Sequence, residues 1–396
     1  MPSHRRLDNH YIIMQIGYWA MFAAFCGYQT ALLLSRGFSN SQAGMIIAVR
    51  CLAGIICQPI LGGFADRHPR IPLRRIVTLS LALSLVANGL FAAVPMGLAG
   101  TIAVFIVLGG FELSAYPLMD AMAVQFINVG VPIRYSLGRG IGSMSYAVVC
   151  VLMGLQVSRF GVETMLITHG VFILLEIFLV GTYPVYRGGV ELKQREDQRP
   201  HSVPQLLRLN PAFALMLAAV LCAVTGVLPL SNFLVNVVEA KGGSAAQLGI
   251  ALFLMGASEL PTAFFFDRLR RRLGSGRTLM LSFAGMGLKV IGCLLAPSLI
   301  WVFGAQLFQV IGYGLFTPTS VYYVNESVPA ADRVRGQTLM MVASNGMGGM
   351  LGSLLGGAAL DLGGVPVMLT FCLVCIGLSL ALSIPALWLA RRGSAG

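Results

Sequence analysis

The sequence predicts an all-α membrane protein, with twelve transmembrane helices in two pseudo-symmetric six-helix bundles. Three observations predict it. Of the 396 residues, 57% are hydrophobic and only 11% charged, where a soluble protein of this size carries about 25% charged residues. That much apolar surface has to meet lipid rather than water. Apolar runs close to the ~20 residues that cross a bilayer recur twelve times. The two halves also repeat their punctuation: QPILGGFADRHPR closes the second run and PTAFFFDRLRRRLG the eighth, each an Asp-Arg step beside a basic cluster.

Taken in order, the first six spans are expected at Tyr11–Ser35, Ser41–Phe64, Ile76–Val94, Thr101–Asn128, Ser136–Ser158 and Glu163–Tyr183. The first follows MPSHRRLDNH and has no small-residue cleavage site behind it, so it reads as a span rather than a signal peptide. The second six are expected at Pro211–Val237, Ala246–Phe266, Thr278–Ala296, Leu299–Asn325, Gly336–Leu360 and Pro366–Ala390. Spans 4 and 10 share a mid-helix proline (Pro117, Pro318), and spans 5 and 11 open alike, on RYSLGRGIGSMS and RVRGQTLMMVASNG. The one long hydrophilic connector separates the sixes, giving bundles at residues 1–184 and 211–396 joined by a linker at 185–210. Six plus six around a linker is the layout of two bundles rocking about a central site.

Composition also narrows chemistry. The net charge of +12 does not mark nucleic-acid binding, because the basic residues lie in short loops rather than on one soluble face. With the amino terminus placed in the cytoplasm, about 21 Lys/Arg lie on cytoplasmic segments and about 3 on external ones, which orients both termini inward. The eight Cys all fall in apolar runs, and Cys372 and Cys375 read as one packed helical turn. GMGGMLGSLLGG in span 11 reads as a close-packing, bendable face, since no strand precedes it and no P-loop Lys follows. No cofactor or metal-ligand cluster is expected.

Charges inside the spans point to function, because a charge at the bilayer centre costs at least ~3 kcal/mol. They come in both signs: Arg50, Glu112, Asp120, Arg139, Glu176, Glu259 and Lys289. Asp120 and Arg139 sit at matching depths of roughly 8–12 Å from one face, so an ion pair across spans 4 and 5 is feasible. Either it holds the helices together or its free edges contact a ligand. Arg50 and Glu112 match in depth within ~3 Å as a second pair, with a structural role favoured. Glu259 and Lys289 lie near mid-depth on spans 8 and 9, open to proton or ligand binding or to mutual compensation. His169 and Glu176 on span 6 rank below these, His169 as a packing residue. Of the polar residues, Tyr28, Gln29, Asn232, Asn236, Gln309, Tyr322 and Asn345 are candidates for the cavity. Tyr146 is a candidate ring to stack on a solute.

Gly62-Gly-Phe-Ala-Asp66-Arg67, with Arg70, Arg74 and Arg75, resembles the loop 2–3 signature of the major facilitator superfamily, and Asp267-Arg268 its degenerate second copy. Pro69 replaces the usual glycine. An Asp at a helix end and an Arg beside it can latch neighbouring helices. Within that superfamily the chain resembles the lactose permease and nucleoside–proton symporter branch. Pro117-Leu-Met-Asp120 and Arg139-Gly-Ile-Gly142-Ser143-Met-Ser-Tyr146 carry that likeness. The resemblance implies that Asp120, Arg139 and Tyr146 hold a sugar. It departs on span 10, where Gln306, Gln309 and Gly312 stand in place of the branch's Lys, His and Glu; Lys289 replaces an Arg on span 9, while the span 8 Glu259 is kept.

The expected function is therefore secondary transport, not enzyme catalysis: a small polar organic solute (sugar, nucleoside or small organic acid) carried by alternating access, with proton-coupled symport implied by the resemblance. Substrate contacts are expected from Asp120, Arg139, Tyr146, Tyr28, Gln309 and Asn232. Coupling or charge balance is expected from Glu259, Lys289, Glu112 and Arg50, and gating from Gly62, Asp66, Arg67, Asp267 and Arg268. The expected setting is a monomer in a bacterial inner membrane, with solute, protons and lipid as its partners. Export, uncoupled facilitation, and a membrane sensor or lipid-modifying enzyme stay open as alternatives.

Overall fold

The computed structural model describes residues 4–186 and 201–393 and is helical throughout. Residues 187–200 of the expected linker lie outside the described residues. By contacts the chain divides into two compact units, one of residues 1–189 with 243–257 and the other of 190–242 with 258–396.

The first unit holds α1 (His4–Cys26), α2 (Gln29–Ser35), α3 (Asn40–Arg67), α4 (Leu73–Ala93), α5 (Leu98–Ile127), α6 (Tyr135–Phe160) and α7 (Thr164–Thr182). Their ends follow from the sequence. A capping box between Ser39 and Gln42 starts α3. Pro72, which cannot continue a helix from α3, sits at the N-cap of α4. α1 packs on α6 and α7, α3 on α5, and α4 on α5 and α7. The core between them is Tyr11, Met14, Tyr18 and Met21 of α1, Val77 and Leu81 of α4, Met119 and Met122 of α5, and Ile173 and Val180 of α7. The opposite faces carry exposed Leu79, Leu83, Ile167 and Phe178, as lipid-facing helices do, because lipid leaves no hydrophobic reason to hide them. Arg36 forks onto Glu163 at 2.6 and 2.8 Å between α2 and the α6–α7 turn. At the end where α1 begins, Asp8 takes Arg134 by side chain and backbone at 2.6–2.8 Å.

The second unit holds α8 (Val203–Leu209), α9 (Pro211–Asn232), α10 (Leu234–Glu239), α12 (Thr262–Leu273), α13 (Ser275–Leu294), α14 (Leu299–Gln306), α15 (Tyr313–Ser327), α16 (Arg333–Met341) and α17 (Gly349–Gly393); α11 (Ala245–Ala257) packs on α6 in the first unit. α8 is a helical turn within the stretch expected as linker. His201 ahead of it donates its backbone N–H to Asp332 at 2.8 Å and pairs its ring at 2.7 Å. The glycine run of span 11 does what its composition suggests. Gly348, Gly352 and Gly356, one turn apart, lie against Val224, Thr225 and Pro229 of α9, and the segment Val342–Gly348 widens into a π-helix.

Ten described stretches are long and apolar enough to cross a membrane. The expectation was twelve, and two local features account for the difference. Span 8 is interrupted at Ser258–Pro261, leaving α11 and α12 each too short alone. Spans 11 and 12 run on as one helix whose backbone turns at Gly363 and Gly364.

Candidate functional site

α1, α5 and α6 bring a polar and aromatic cluster together in the first unit. Asp120 is its centre. Its Oδ1 accepts from Tyr11 Oη and Gln15 Nε2, both at 3.0 Å, and its Oδ2 accepts from Tyr135 Oη at 2.7 Å. Arg139 Nη1 stands 3.6 Å from Oδ2 and 3.4 Å from Tyr135 Oη. Asp120 is mostly covered, 13% exposed, whereas the Arg139 side chain is 45% exposed. The guanidinium lies 5.4 Å from the Tyr116 ring centre, within cation–π range. The cluster thus fixes a carboxylate firmly and leaves a half-exposed cation held only by long contacts.

Aromatic rings continue the cluster. Tyr18 stacks on Tyr116 at 5.0 Å; Trp19 meets Tyr116 edge-on at 5.5 Å and Tyr146 at 6.3 Å. Trp19 Nε1 and Gln15 Oε1 are buried without a hydrogen-bond partner. Buried polar atoms are rarely left so; here one is a donor and the other an acceptor. The local sequence explains the closeness. A Cβ at Gly138 would stand 2.7 Å from the Tyr11 ring, and one at Gly142 would stand 2.4 Å from Trp19. This small-xxx-small spacing on α6 lets α1 lie directly against it.

A second charged cluster is sealed deeper in the same unit. Arg50 of α3 donates to Glu112 Oε2 of α5 at 3.1 Å and to Cys26 Sγ of α1 at 2.9 Å. Glu112 Oε1 faces His169 Nε2 of α7 at 3.2 Å. Gly109 makes the approach feasible, since a Cβ there would stand 2.2 Å from the Arg50 carbonyl oxygen. His169 is fully buried and belongs to this ion cluster; packing alone does not describe it. Glu176, one helical stretch further along α7, is also fully buried, with neither oxygen hydrogen-bonded and with Gly17 of α1 against it.

In the second unit Glu259 and Lys289 do not pair directly. Gln309 stands between them, accepting from Lys289 Nζ and donating to Glu259 Oε1, both at 2.8 Å. The bridge forms where two spans break. Glu259 lies in the Ser258–Pro261 interruption, and Gln309 in the 3-10 turn Leu307–Val310 between α14 and α15. Thr262 Oγ1 donates to the Val310 carbonyl at 2.8 Å and Ser258 Oγ to that of Gln306 at 3.4 Å. Backbone groups freed by the break thereby find partners away from water.

The remaining candidates scatter. Tyr28 is fully buried and donates to the Cys150 carbonyl at 2.8 Å, wedged where Gly154 of α6 meets Gly249 of α11; this geometry is that of a packing wedge. Asn232 Nδ2 donates to Ser353 Oγ at 2.8 Å, joining α9 to α17. Gly62 lies near the end of α3, where Asp66 and Arg67 are exposed; Asp267 and Arg268 are exposed on α12.

The model of the MFS_1-like family matches residues 6–371. The chain belongs to that family, within the major facilitator superfamily. Over 370 residues it is 25% identical to the maltose permease of Geobacillus stearothermophilus, covering 92% of this chain and 90% of that one. It is 22% identical over 357 residues to the uncharacterized transporter YwbF of Bacillus subtilis (strain 168), covering 90% and 86%. The solved structure of the nucleoside transporter NupG is similar at a TM-score of 0.78 and 15% identity, covering 96% of this chain and 98% of that one. A POT-family peptide transporter follows at 0.73 and 12%, covering 98% and 97%. At such identities the likeness is one of fold, and that fold has twelve spans. As a member of a transporter family the chain is a multi-pass membrane carrier of a small molecule, not an enzyme.

For this MFS_1-like chain, sequence reasoning placed Asp120 opposite Arg139 and Arg50 opposite Glu112, and the structure brings each pair together. It missed Tyr11, Gln15 and Tyr135, which hold Asp120, and Trp19 beside them. One signal was available: Tyr11, Gln15, Tyr18, Trp19 and Phe22 recur at helical three- and four-residue spacing on span 1.

Proposed function

We propose that the chain carries a polyhydroxylated solute, a glycoside or a nucleoside, into a bacterial cell across the inner membrane, driven by protons. Both termini lie in the cytoplasm on this reading. The observation that carries it is the arrangement at Asp120. A carboxylate fixed by three donors sits beside a half-exposed guanidinium, within a surround of Tyr18, Trp19, Tyr116, Tyr135 and Tyr146. Sugar rings and nucleobases have apolar faces that stack on aromatic rings and edges that bond to Arg. A guanidinium this exposed at membrane depth is tolerated where it meets water. Arg139 and Asp120 orient the solute, and Trp19 and Tyr146 cover its faces. The maltose permease relative supports the glycoside member of the pair.

The test is uptake by purified protein in proteoliposomes, offering labelled disaccharides and nucleosides with and without an inward proton gradient. Saturable uptake of one class, enhanced by the gradient and lost in Arg139→Ala, is expected. Uptake of neither class removes the solute assignment. Uptake that ignores the gradient removes symport, and unchanged uptake in Arg139→Ala removes the site.

A further inference from the structure

The contact between Glu112 and His169 obeys a constraint that the other ion pairs do not. Asn88 of α4 donates its Nδ2 to the Leu166 carbonyl at 2.9 Å, which leaves Oδ1 as the atom facing His169 Nδ1, also at 2.9 Å. Oδ1 only accepts, so Nδ1 carries a proton and donates it. The other ring nitrogen, Nε2, faces Glu112 Oε1 at 3.2 Å, and neither atom has a further hydrogen-bond partner. With Nδ1 already protonated, a neutral ring would turn the Nε2 lone pair onto a carboxylate oxygen. Acceptor would meet acceptor in a place without water, since Glu112, His169, Arg50 and Asn88 are each at most 4% exposed.

From this we infer that the Glu112–His169 contact is a built proton-binding site, and that it is the place where the coupling proton rides. The proton lies between Nε2 and Oε1, as imidazolium beside carboxylate or as imidazole beside carboxylic acid. All the polar groups facing the site take part in fixing it. Arg50 of α3 supplies a constant positive charge on Oε2, and Cys26 of α1 accepts the other end of that guanidinium. Tyr18 of α1 donates to the Glu112 backbone carbonyl at 3.3 Å and stays off the carboxylate. Asn88 of α4 holds the tautomer. The rings of Phe25 and Phe105 close the site, Phe25 at 4.8 Å from His169.

The site is also poised to release what it holds. Loaded, the Arg50–Glu112–His169 group carries a net positive charge inside a dry bundle, which burial disfavours. Empty, it is neutral and keeps the Arg50–Glu112 pair, but leaves two acceptors opposed. The two states thus have opposing costs of similar kind. Exchange with water requires the helices to part, and the first span is already broken there: α1 ends at Cys26 and α2 begins at Gln29. Discontinuous helices commonly mark ion sites in carriers.

The assignment of the coupling role rests on the symport reading above; the proton itself does not. The first measurement is therefore made without transport, by side-chain nitrogen NMR of full-length protein in nanodiscs, together with infrared spectra of the carboxyl band. His169 is assigned by loss of its signal in His169→Asn, or by its shift in Glu112→Gln should that variant not fold. The expected result at neutral pH is a ring protonated on both nitrogens, or a carboxylic-acid band removed by Glu112→Gln. In Glu112→Gln the ring becomes neutral with its proton on Nδ1. A wild-type ring singly protonated beside an ionised Glu112, from about pH 5 to pH 9, overturns the site. The second measurement is the ratio of gradient-driven accumulation to equilibrium exchange in proteoliposomes, expected to fall about tenfold or more in His169→Asn and Glu112→Gln. An unchanged ratio in both overturns the coupling role. A wild-type protein that accumulates nothing defeats symport, and the coupling role with it, while the spectra still decide the proton.

Discussion

Arg139 and Asp120 differ in how tightly they are held, and this difference defines their parts. Asp120 has three neutral donors at 2.7–3.0 Å, so its position does not depend on Arg139. Arg139 has two long contacts and is half exposed. A bidentate group that is not yet engaged is the one to meet a ligand. Gly142 sets the scale of the site, because anything larger pushes on Trp19 and on the Gln15 carbonyl. Overpacking of this kind costs about 1–3 kcal/mol. Gly142→Ala is expected to lower the melting temperature in detergent modestly and to raise the KM for solute about tenfold, the equivalent of ~1.4 kcal/mol. Kinetics and stability equal to wild type would show that Trp19 is not held where the site needs it.

At the scale of elements, the breaks in the spans matter more than the spans. The interruptions at Ser258–Pro261 and Leu307–Val310 place Glu259 and Gln309 in one chain of hydrogen bonds. Pro261 announces the first in the sequence. The second has no comparable mark except Gly312, since Gln309 and its neighbours would fit an unbroken helix equally well. This is why Gln309 was legible as a polar residue but not as the bridge between Glu259 and Lys289. The turn between spans 11 and 12 is similarly local. Gly364 has φ 70° and ψ −164°, a region essentially closed to residues with a Cβ, at about 1–3 kcal/mol. Gly364→Ala should therefore lower the melting temperature, whereas Gly377→Ala, in open space in the same helix, should not. Equal effects would place the cost elsewhere than in the backbone.

For the whole molecule, hydropathy and charge made the architecture legible: twelve apolar runs, a repeated loop and a single long connector are properties of the chain read end to end. Depth along a helix is also linear in sequence, so Asp120 with Arg139 and Arg50 with Glu112 were legible as depth-matched partners. Which neighbour a given helix face meets is not, and that is what hid His169 in an ion cluster and Tyr28 in a helix crossing. Nor could spacing reveal that Asp8 would clasp Arg134 across 126 positions. The central claim is that the polar face around Arg139 borders water rather than acyl chains. Ser143, one turn further along α6 and hydrogen-bonded to the Arg139 carbonyl at 3.2 Å, tests it most directly. Ser143→Cys in proteoliposomes is treated with a membrane-impermeant thiol reagent, with the eight native cysteines measured in wild type and subtracted. The account predicts labelling from the aqueous phase that transported solute suppresses. Labelling only by a lipophilic reagent, indifferent to solute, would contradict it.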